Sequence, residues 1–176
     1  MKKILLLIII LSSAAAGSFA QTQSFPQLSI GPDGGLPSGA DQAAYSTVIG
    51  ASLKLDIPVK ALPLHVVFTA GYEDFIVKSI YKDTILNAHY VPVEAGLKYF
   101  VDPNVYIEAD AGSSFNVNSS SHGGGGAAFI YAPSLGIAVP LSAKNGLDFN
   151  VRYEAQVEDG GSIKQVALRI AYCFGL

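Results

Sequence analysis

From residue 147 to residue 157 the chain reads Leu-Asp-Phe-Asn-Val-Arg-Tyr-Glu-Ala-Gln-Val, apolar and polar in unbroken alternation. Successive side chains of an extended chain point to opposite faces. Such a stretch is therefore a β-strand with one wholly apolar face and one face carrying Asp148, Asn150, Arg152, Glu154 and Gln156. In a soluble sandwich the apolar face would point inward and the polar face would meet water. Several other stretches repeat the pattern, at lengths close to the roughly 9–11 residues of a tilted membrane-spanning strand. That length, with large charged groups on the polar face, predicts the inverted arrangement of lipid outside and charges inside.

Eight strands are expected, at 27–31, 46–56, 64–74, 89–101, 104–115, 127–139, 147–157 and 162–174. Counted from the N-terminus, the first, third and fifth connections (32–45, 75–88 and 116–126) are long. The second, fourth and sixth (57–63, 102–103 and 140–146) are short, and the seventh (158–161) is short as well. In an up-and-down meander the odd connections share one end and the even ones the other. Long loops at one end and tight turns at the other are the asymmetry of transmembrane barrels. The expected fold is an all-β, eight-stranded antiparallel up-and-down transmembrane β-barrel.

The faces follow by parity. Ile49, Leu53, Phe68, Val93, Leu97, Ile107, Phe129, Leu135 and Ile137 fall on outward stripes that hold no Lys, Arg, Asp or Glu at mid-strand. One Lys or Arg there would cost about 2–4 kcal/mol at the bilayer midplane. The inward set holds Lys54, Asp56, His65, Glu73, Glu94, Lys98, Glu108, Asp110, Asp148, Arg152, Glu154 and Arg169. An eight-stranded barrel is just wide enough for its side chains to fill. These groups are therefore expected to pair into a polar network in the lumen, with a proton or ion path as the functional alternative. Glycines at 50, 71, 96, 112 and 136 share that face and leave room for the long charged chains. Aromatics gather near both rims, Tyr72, Phe115, Phe129 and Tyr131 at one and Tyr99, Phe100, Tyr172 and Phe174 at the other, as interfacial girdles do.

The N-terminus reads as a secretory signal over residues 1–20. Lys2 and Lys3 precede an apolar run, and Ser18-Phe19-Ala20 forms a small-x-small cleavage site. An uncleaved anchor is the alternative, weakened by Ser12, Ser13, Gly17 and Ser18. The mature domain would span residues 21–176, with nine Lys and Arg against fourteen Asp and Glu, a balance that disfavours nucleic acid as a partner. Cys173 is the single cysteine and can form no internal disulfide.

The run Pro92-Val93-Glu94-Ala95-Gly96-Leu97-Lys98-Tyr99-Phe100 and the closing segment Val166-Ala167-Leu168-Arg169-Ile170-Ala171-Tyr172-Cys173-Phe174-Gly175-Leu176 resemble small outer-membrane β-barrel proteins of Gram-negative bacteria. The group is the eight-stranded OmpA-like and OmpX-like barrels. The first run looks like a central strand of that group. The second is similar to the C-terminal strand read by the barrel-assembly machinery, with Tyr172, Phe174 and Leu176 as the signal positions. That strand usually ends in Phe, and here Leu176 is terminal. The resemblance implies an outer-membrane location, contact with outer-membrane lipid and lipopolysaccharide, and the assembly machinery as a partner during biogenesis. It implies no cofactor and leaves activity open, since one fold serves many functions.

Three functions are in view. The first is a non-enzymatic barrel, a monomer with a polar plugged lumen and a structural or surface-interaction role through loops 75–88 and 116–126. The 75–86 stretch is unusually apolar for an exposed connection, and it either folds over the barrel mouth or projects as a hairpin. The second is a membrane-embedded lipid A or acyl-ester hydrolase using Ser113, His89 and Asp74. By parity these face outward near the long-loop rim, and they converge if His89 opposes Phe115. The third is a periplasmic lipocalin-like barrel, which would require an apolar interior. The tract His122-Gly123-Gly124-Gly125-Gly126 lacks the Lys-Ser/Thr ending of a phosphate loop. His65, His89 and His122 stand in separate elements, so no metal site is expected.

Overall fold

A computed structural model describes residues 25–60, 62–81, 86–117, 126–158 and 161–176. The expected signal segment lies outside these residues, as do His122, Gly123, Gly124 and Gly125. Eight strands run in sequence order: β1 (Gln27–Pro37), β2 (Tyr45–Pro58), β3 (Leu64–Val77), β4 (Ala88–Phe100), β5 (Val105–Asn116), β6 (Ala127–Pro140), β7 (Asn145–Glu158) and β8 (Gly161–Gly175). Each pairs antiparallel with its neighbours, and β8 returns to β1 to close the barrel. Closure matters physically, because no strand edge is left with unpaired backbone groups facing hydrocarbon.

Seven strands lie where the alternation places them, to within three residues at either end. β1 runs six residues further than expected, through Pro32-Asp33-Gly34-Gly35-Leu36-Pro37, a string whose composition reads as a turn. The extension is tolerated because β2 pairs along it from Pro32↔Ala51 to Gly35↔Val48. On its other side the ladder to β8 lapses at Gly31 and Pro32 and resumes at Asp33↔Arg169. A proline has no N–H to give. The same lapse recurs on β3–β4 beside Pro92, and on β6–β7 beside Pro133. Three of the eight seams thus carry one proline-made gap each, while the other flank of every proline stays paired.

The burial pattern alternates along every strand and settles which face is which. The largest fully buried side chain is that of Arg169, and Glu154, His65, Gln165 and Asn150 are also enclosed. The exposed set is Ile, Leu, Val, Phe and Tyr around the whole circumference, from Ile30 and Leu53 through Val93 and Leu135 to Leu168. A lipocalin-like interior is excluded by this, since the grease is outside and the charge inside. One aromatic departs from the expected girdle. Phe100 lies on the inward parity of β4 and packs against His65 and Tyr106, at ring-centroid separations of 5.0 and 5.6 Å. It lies at the tight-turn end of the lumen instead of facing the bilayer.

Candidate functional site: the lumen and the long-loop rim

Three layers of buried side chains line the inner face of the barrel among the described residues. At the long-loop mouth Val48, Phe75, Ala88 and Tyr90 form a buried apolar cluster, with Tyr45 and Ile163 packed against it. The rings of Tyr45 and Tyr90 meet Phe75 edge-on at 5.7 and 5.5 Å. Phe75 and Val77 are the base of the apolar stretch 75–86 and are buried, while Ile80 and Leu86 nearer its tip are 78% and 68% exposed. Phe75 and Val77 thus belong to the inward face of β3, and residues 82–85, on which the choice between a cap and a projecting hairpin turns, lie outside the described residues.

Beneath this cap lies the first charged layer. The Arg152 guanidinium reaches Glu73 at 2.9 Å, Glu154 at 3.1 Å and Asp33 at 3.7 Å. Two glutamines stitch the carboxylates together. Gln165 Nε2 donates to Glu154 at 2.8 Å and Glu73 at 3.1 Å, and Gln156 Nε2 donates to both at 3.1 Å. Arg169 links this layer downward, donating through Nε to Ser52 Oγ at 2.8 Å and through Nη2 to Ser29 Oγ at 3.1 Å. Its Nη1 stands 3.5 Å from Asp148, and Ser52 in turn donates to Asp33 at 2.7 Å.

The second charged layer sits toward the tight turns. Lys98 is held by Asp56 at 2.9 Å, Glu108 at 3.5 Å and Asp148 at 3.9 Å, and Lys54 pairs with Glu108. Lys98 also lies 4.3 Å above the centre of the Tyr106 ring, a cation–π contact that burial strengthens. The Tyr106 hydroxyl donates to Asp148 at 2.8 Å, so ring and hydroxyl serve different partners. This placement depends on a missing side chain. Tyr106 stands opposite Gly136, and a Cβ there would collide with the tyrosine ring. Gly136→Ala is expected to destabilise the folded barrel by about 1–3 kcal/mol through overpacking. Urea titration of the heat-modifiable gel shift is the measurement, with Gly34→Ala, where an added Cβ meets nothing, as the neutral comparison.

The sequence-predicted lumen set, Lys54, Glu94, Lys98, Glu108, Asp110, Arg152, Glu154 and Arg169, is thus buried on one inner surface. Sequence reasoning missed Asp33, because β1 was expected to end at Gly31. It also missed the neutral stitching residues Ser29, Ser52, Tyr106 and Gln165, whose inward parity was legible, and it placed Asn150 and Gln156 on the polar face of their strand without counting them in the network. The assembly-signal positions Tyr172 and Phe174 face outward, with rings 4.8 Å apart, and Leu176 is exposed just beyond β8.

The rim candidates separate. Asp74 and His89 stand directly opposite each other on β3 and β4, with Asp74 Oδ1 3.3 Å from His89 Nδ1. Tyr72 adds a hydroxyl 3.0 Å from the same nitrogen and a ring stacked on the imidazole. Ser113 does not join them. It opposes Val93, Phe115 opposes Val91, and His89 instead accepts at its carbonyl from the Val117 N–H. The expected register is off by two residues. Ser113 therefore lies four residues along the ladder from His89, roughly 13 Å at strand rise. The acid and the imidazole meet, but the nucleophile is elsewhere. Among the described residues no three His, Cys, Asp or Glu side chains converge as a metal-binding set.

No protein family and no curated protein matches the sequence. Solved structures do match in shape. Ail, the attachment invasion locus protein of Yersinia pestis, superposes with a TM-score of 0.60 at 15% identity, covering 86% of this chain and 99% of Ail. Neisserial surface protein A gives 0.64 at 10% identity over 86% of this chain and 97% of its own. The outer membrane protein OprG from Pseudomonas aeruginosa gives 0.58 at 12% identity, with 88% and 97% covered. At these identities the likeness is one of fold. The molecule has the architecture of the small eight-stranded outer-membrane barrels.

Proposed function

We propose that this chain is a non-enzymatic outer-membrane barrel with a structural or surface-interaction role, its lumen closed and its loops 75–88 and 116–126 presented outward. The observation that carries the reading is the inside-out burial. Arg169 is 0% exposed at the centre of a cylinder whose circumference offers Val93 at 48%, Leu135 at 55% and Val151 at 50%. In water that surface would aggregate, and in a bilayer it is solvated by lipid chains. Outer-membrane lipid and lipopolysaccharide are then the standing partners of the circumference, and the assembly machinery reads Tyr172, Phe174 and Leu176 during insertion.

Closure of the lumen is argued from its filling. Two ion-pair layers and the apolar cap around Phe75 occupy successive levels of the barrel, which leaves no continuous water column. Near the tight turns a recess lined by Asp56, His65, Lys98 and Cys173 is about large enough for one water. The protein reconstituted in a planar bilayer is expected to give no steady unitary conductance, and stable current steps would contradict the closed reading. The envelope assignment has its own test. The chain should be recovered in the sarkosyl-insoluble outer-membrane fraction and should migrate differently before and after boiling, whereas recovery in a periplasmic extract would overturn it. Replacing residues 79–86 by a short Gly-Ser turn should leave that folding signature intact while reducing cell-surface adhesion. The hydrolase alternative, with Ser113 and His89 apart, predicts that Ser113→Ala abolishes fatty-acid release from lipid A, and unchanged lipid A on overexpression removes it.

A further inference from the structure

The apolar stripe on the outside of the barrel ends differently at its two limits. At the long-loop end it turns polar within the strands. The outward position after Tyr72 on β3 is Asp74, the one before Val91 on β4 is His89, and the one before Val166 on β8 is Lys164. At the tight-turn end it runs on past the last ladder pair. Leu62 before β3, Val101 after β4, Leu141 after β6 and Leu176 after β8 keep the outward parity of their strands, at 54%, 55%, 56% and 62% exposure. They are as open as Leu135 at mid-height.

The height of the stripe shows what these residues are for. A lipid-facing band is about 25 Å tall. Leu62 to Tyr72, Val91 to Val101 and Val166 to Leu176 are each ten residue steps, which is about 26 Å along the barrel axis at roughly 3.4 Å per residue and a tilt of about 40°. Ending the band at the last outward residues inside the strands, Leu64, Tyr99 and Phe174, leaves about 21 Å, short of a hydrocarbon core. Asp74, His89 and Lys164 bar extension at the other end, so the missing height is found in the turns. The backbone there suits such a setting. The N–H groups of Leu62, Val101, Leu141 and Leu176 donate to the carbonyls of Val59, Val105, Asn145 and Pro26, at 3.2, 3.0, 2.9 and 2.9 Å, so none of the four carries an unpaired donor into lipid. Lys60 and Lys144, both exposed, stand beside Leu62 and Leu141. A lysine lays its stem on apolar surface and keeps its amine at the level of the headgroups.

We propose that the tight-turn rim is itself a membrane-binding surface, with Leu62, Val101, Leu141 and Leu176 inserted below the headgroups of the phospholipid leaflet on that side. This rests on the lipid-facing circumference, with which the four side chains are continuous, and goes beyond it by placing the turns in lipid as well as the strands. The barrel is then seated toward its tight turns. Asp74, His89 and Lys164 mark the opposite edge of the band, and the exposed Ile80 and Leu86 beyond β3 and before β4 stand clear of the hydrocarbon.

The chain has no tryptophan, so one can be placed at a time in the full mature barrel. Each variant is refolded into vesicles of phosphatidylethanolamine and phosphatidylglycerol, and the heat-modifiable gel shift certifies its folding. Leu62→Trp, Val101→Trp and Leu141→Trp should emit in the blue and lose most of that emission to lipids brominated near the glycerol end of the acyl chain. Acrylamide dissolved in the water should leave them untouched. Ile137→Trp, inside β6 on the same stripe as Leu141, reports the circumference alone, and Ile80→Trp supplies the water-exposed reference. Turn sites quenched by acrylamide and spared by bromolipid, with Ile137→Trp still quenched from lipid, would put the turns in water; the proposal would fall and the lipid-facing circumference would survive. If Ile137→Trp also escapes the bromolipid, the circumference itself is misassigned and the proposal falls with it. Should one turn variant fail to fold, the other two decide.

Discussion

Arg152→Leu should lower the folding free energy by about 3–5 kcal/mol, the range seen when one member of a buried ion pair is removed and its partners stay. The size follows from the geometry. Arg152 alone stands between Glu73, Glu154 and Asp33, and the glutamines that bridge those carboxylates supply hydrogen bonds but no charge. Equilibrium unfolding in urea, read by the gel shift in lipid vesicles, measures the loss. Adding Glu73→Gln and Glu154→Gln to Arg152→Leu should recover much of it, because the leucine is then no longer surrounded by uncompensated charge. A single substitution within about 0.5 kcal/mol of the parent would mean that the layer is hydrated and screened, which a surface-like network would be.

The second large effect belongs to the opposite face. Val151 lies near the middle of β7, 50% exposed, between Leu135 on β6 and Leu168 on β8, which are exposed to a similar degree. These three residues form a row around the circumference at mid-height. Val151→Arg should cost about 2–4 kcal/mol in a bilayer, where the guanidinium must be buried in hydrocarbon or drag water in. The same substitution at an exposed site of a water-soluble barrel would stay within about 0.5 kcal/mol. Val151→Arg and Arg152→Leu are neighbours in sequence with opposite chemistry. That both are damaging is a property only an inside-out barrel has.

Most of the fold was legible because the strand period is two and each face carries one kind of residue. Parity decides inside from outside, and parity survives small errors in register. The β4–β5 pairing shows the limit. Setting His89 opposite Phe115 places the ladder two residues away from the observed Phe100↔Tyr106 and Val91↔Phe115. Turn geometry at residues 101–104, where Val101 N–H bonds to the Val105 carbonyl, fixes the register, and composition does not reveal it. A slip of two leaves every side chain on its proper face and moves it along the barrel axis. Lumen membership was therefore readable, while the meeting of Ser113 with His89 was not. β1 failed for a different reason: Pro32, Gly34 and Gly35 are turn residues by local preference, and only a partner strand on both sides holds them extended. Which lumen charge meets which could not be seen in advance, since pairing within a lumen depends on which strands face each other across it.

The inside-out orientation, with the polar stripe facing the interior and the apolar stripe facing lipid, has a direct test through Cys173. With Cys173→Ala as background, the chain carries no other thiol, and single cysteines can be placed at each position from 149 to 155 and spin-labelled in vesicles. Labels at 149, 151 and 153 should collide with dissolved oxygen and be shielded from a water-soluble nickel relaxant, while 150, 152 and 154 should be shielded from both or fail to label. Ready access of the nickel relaxant to 150, 152 and 154, with 149, 151 and 153 shielded from oxygen and nickel alike, would place water around the charges and contradict the barrel's orientation.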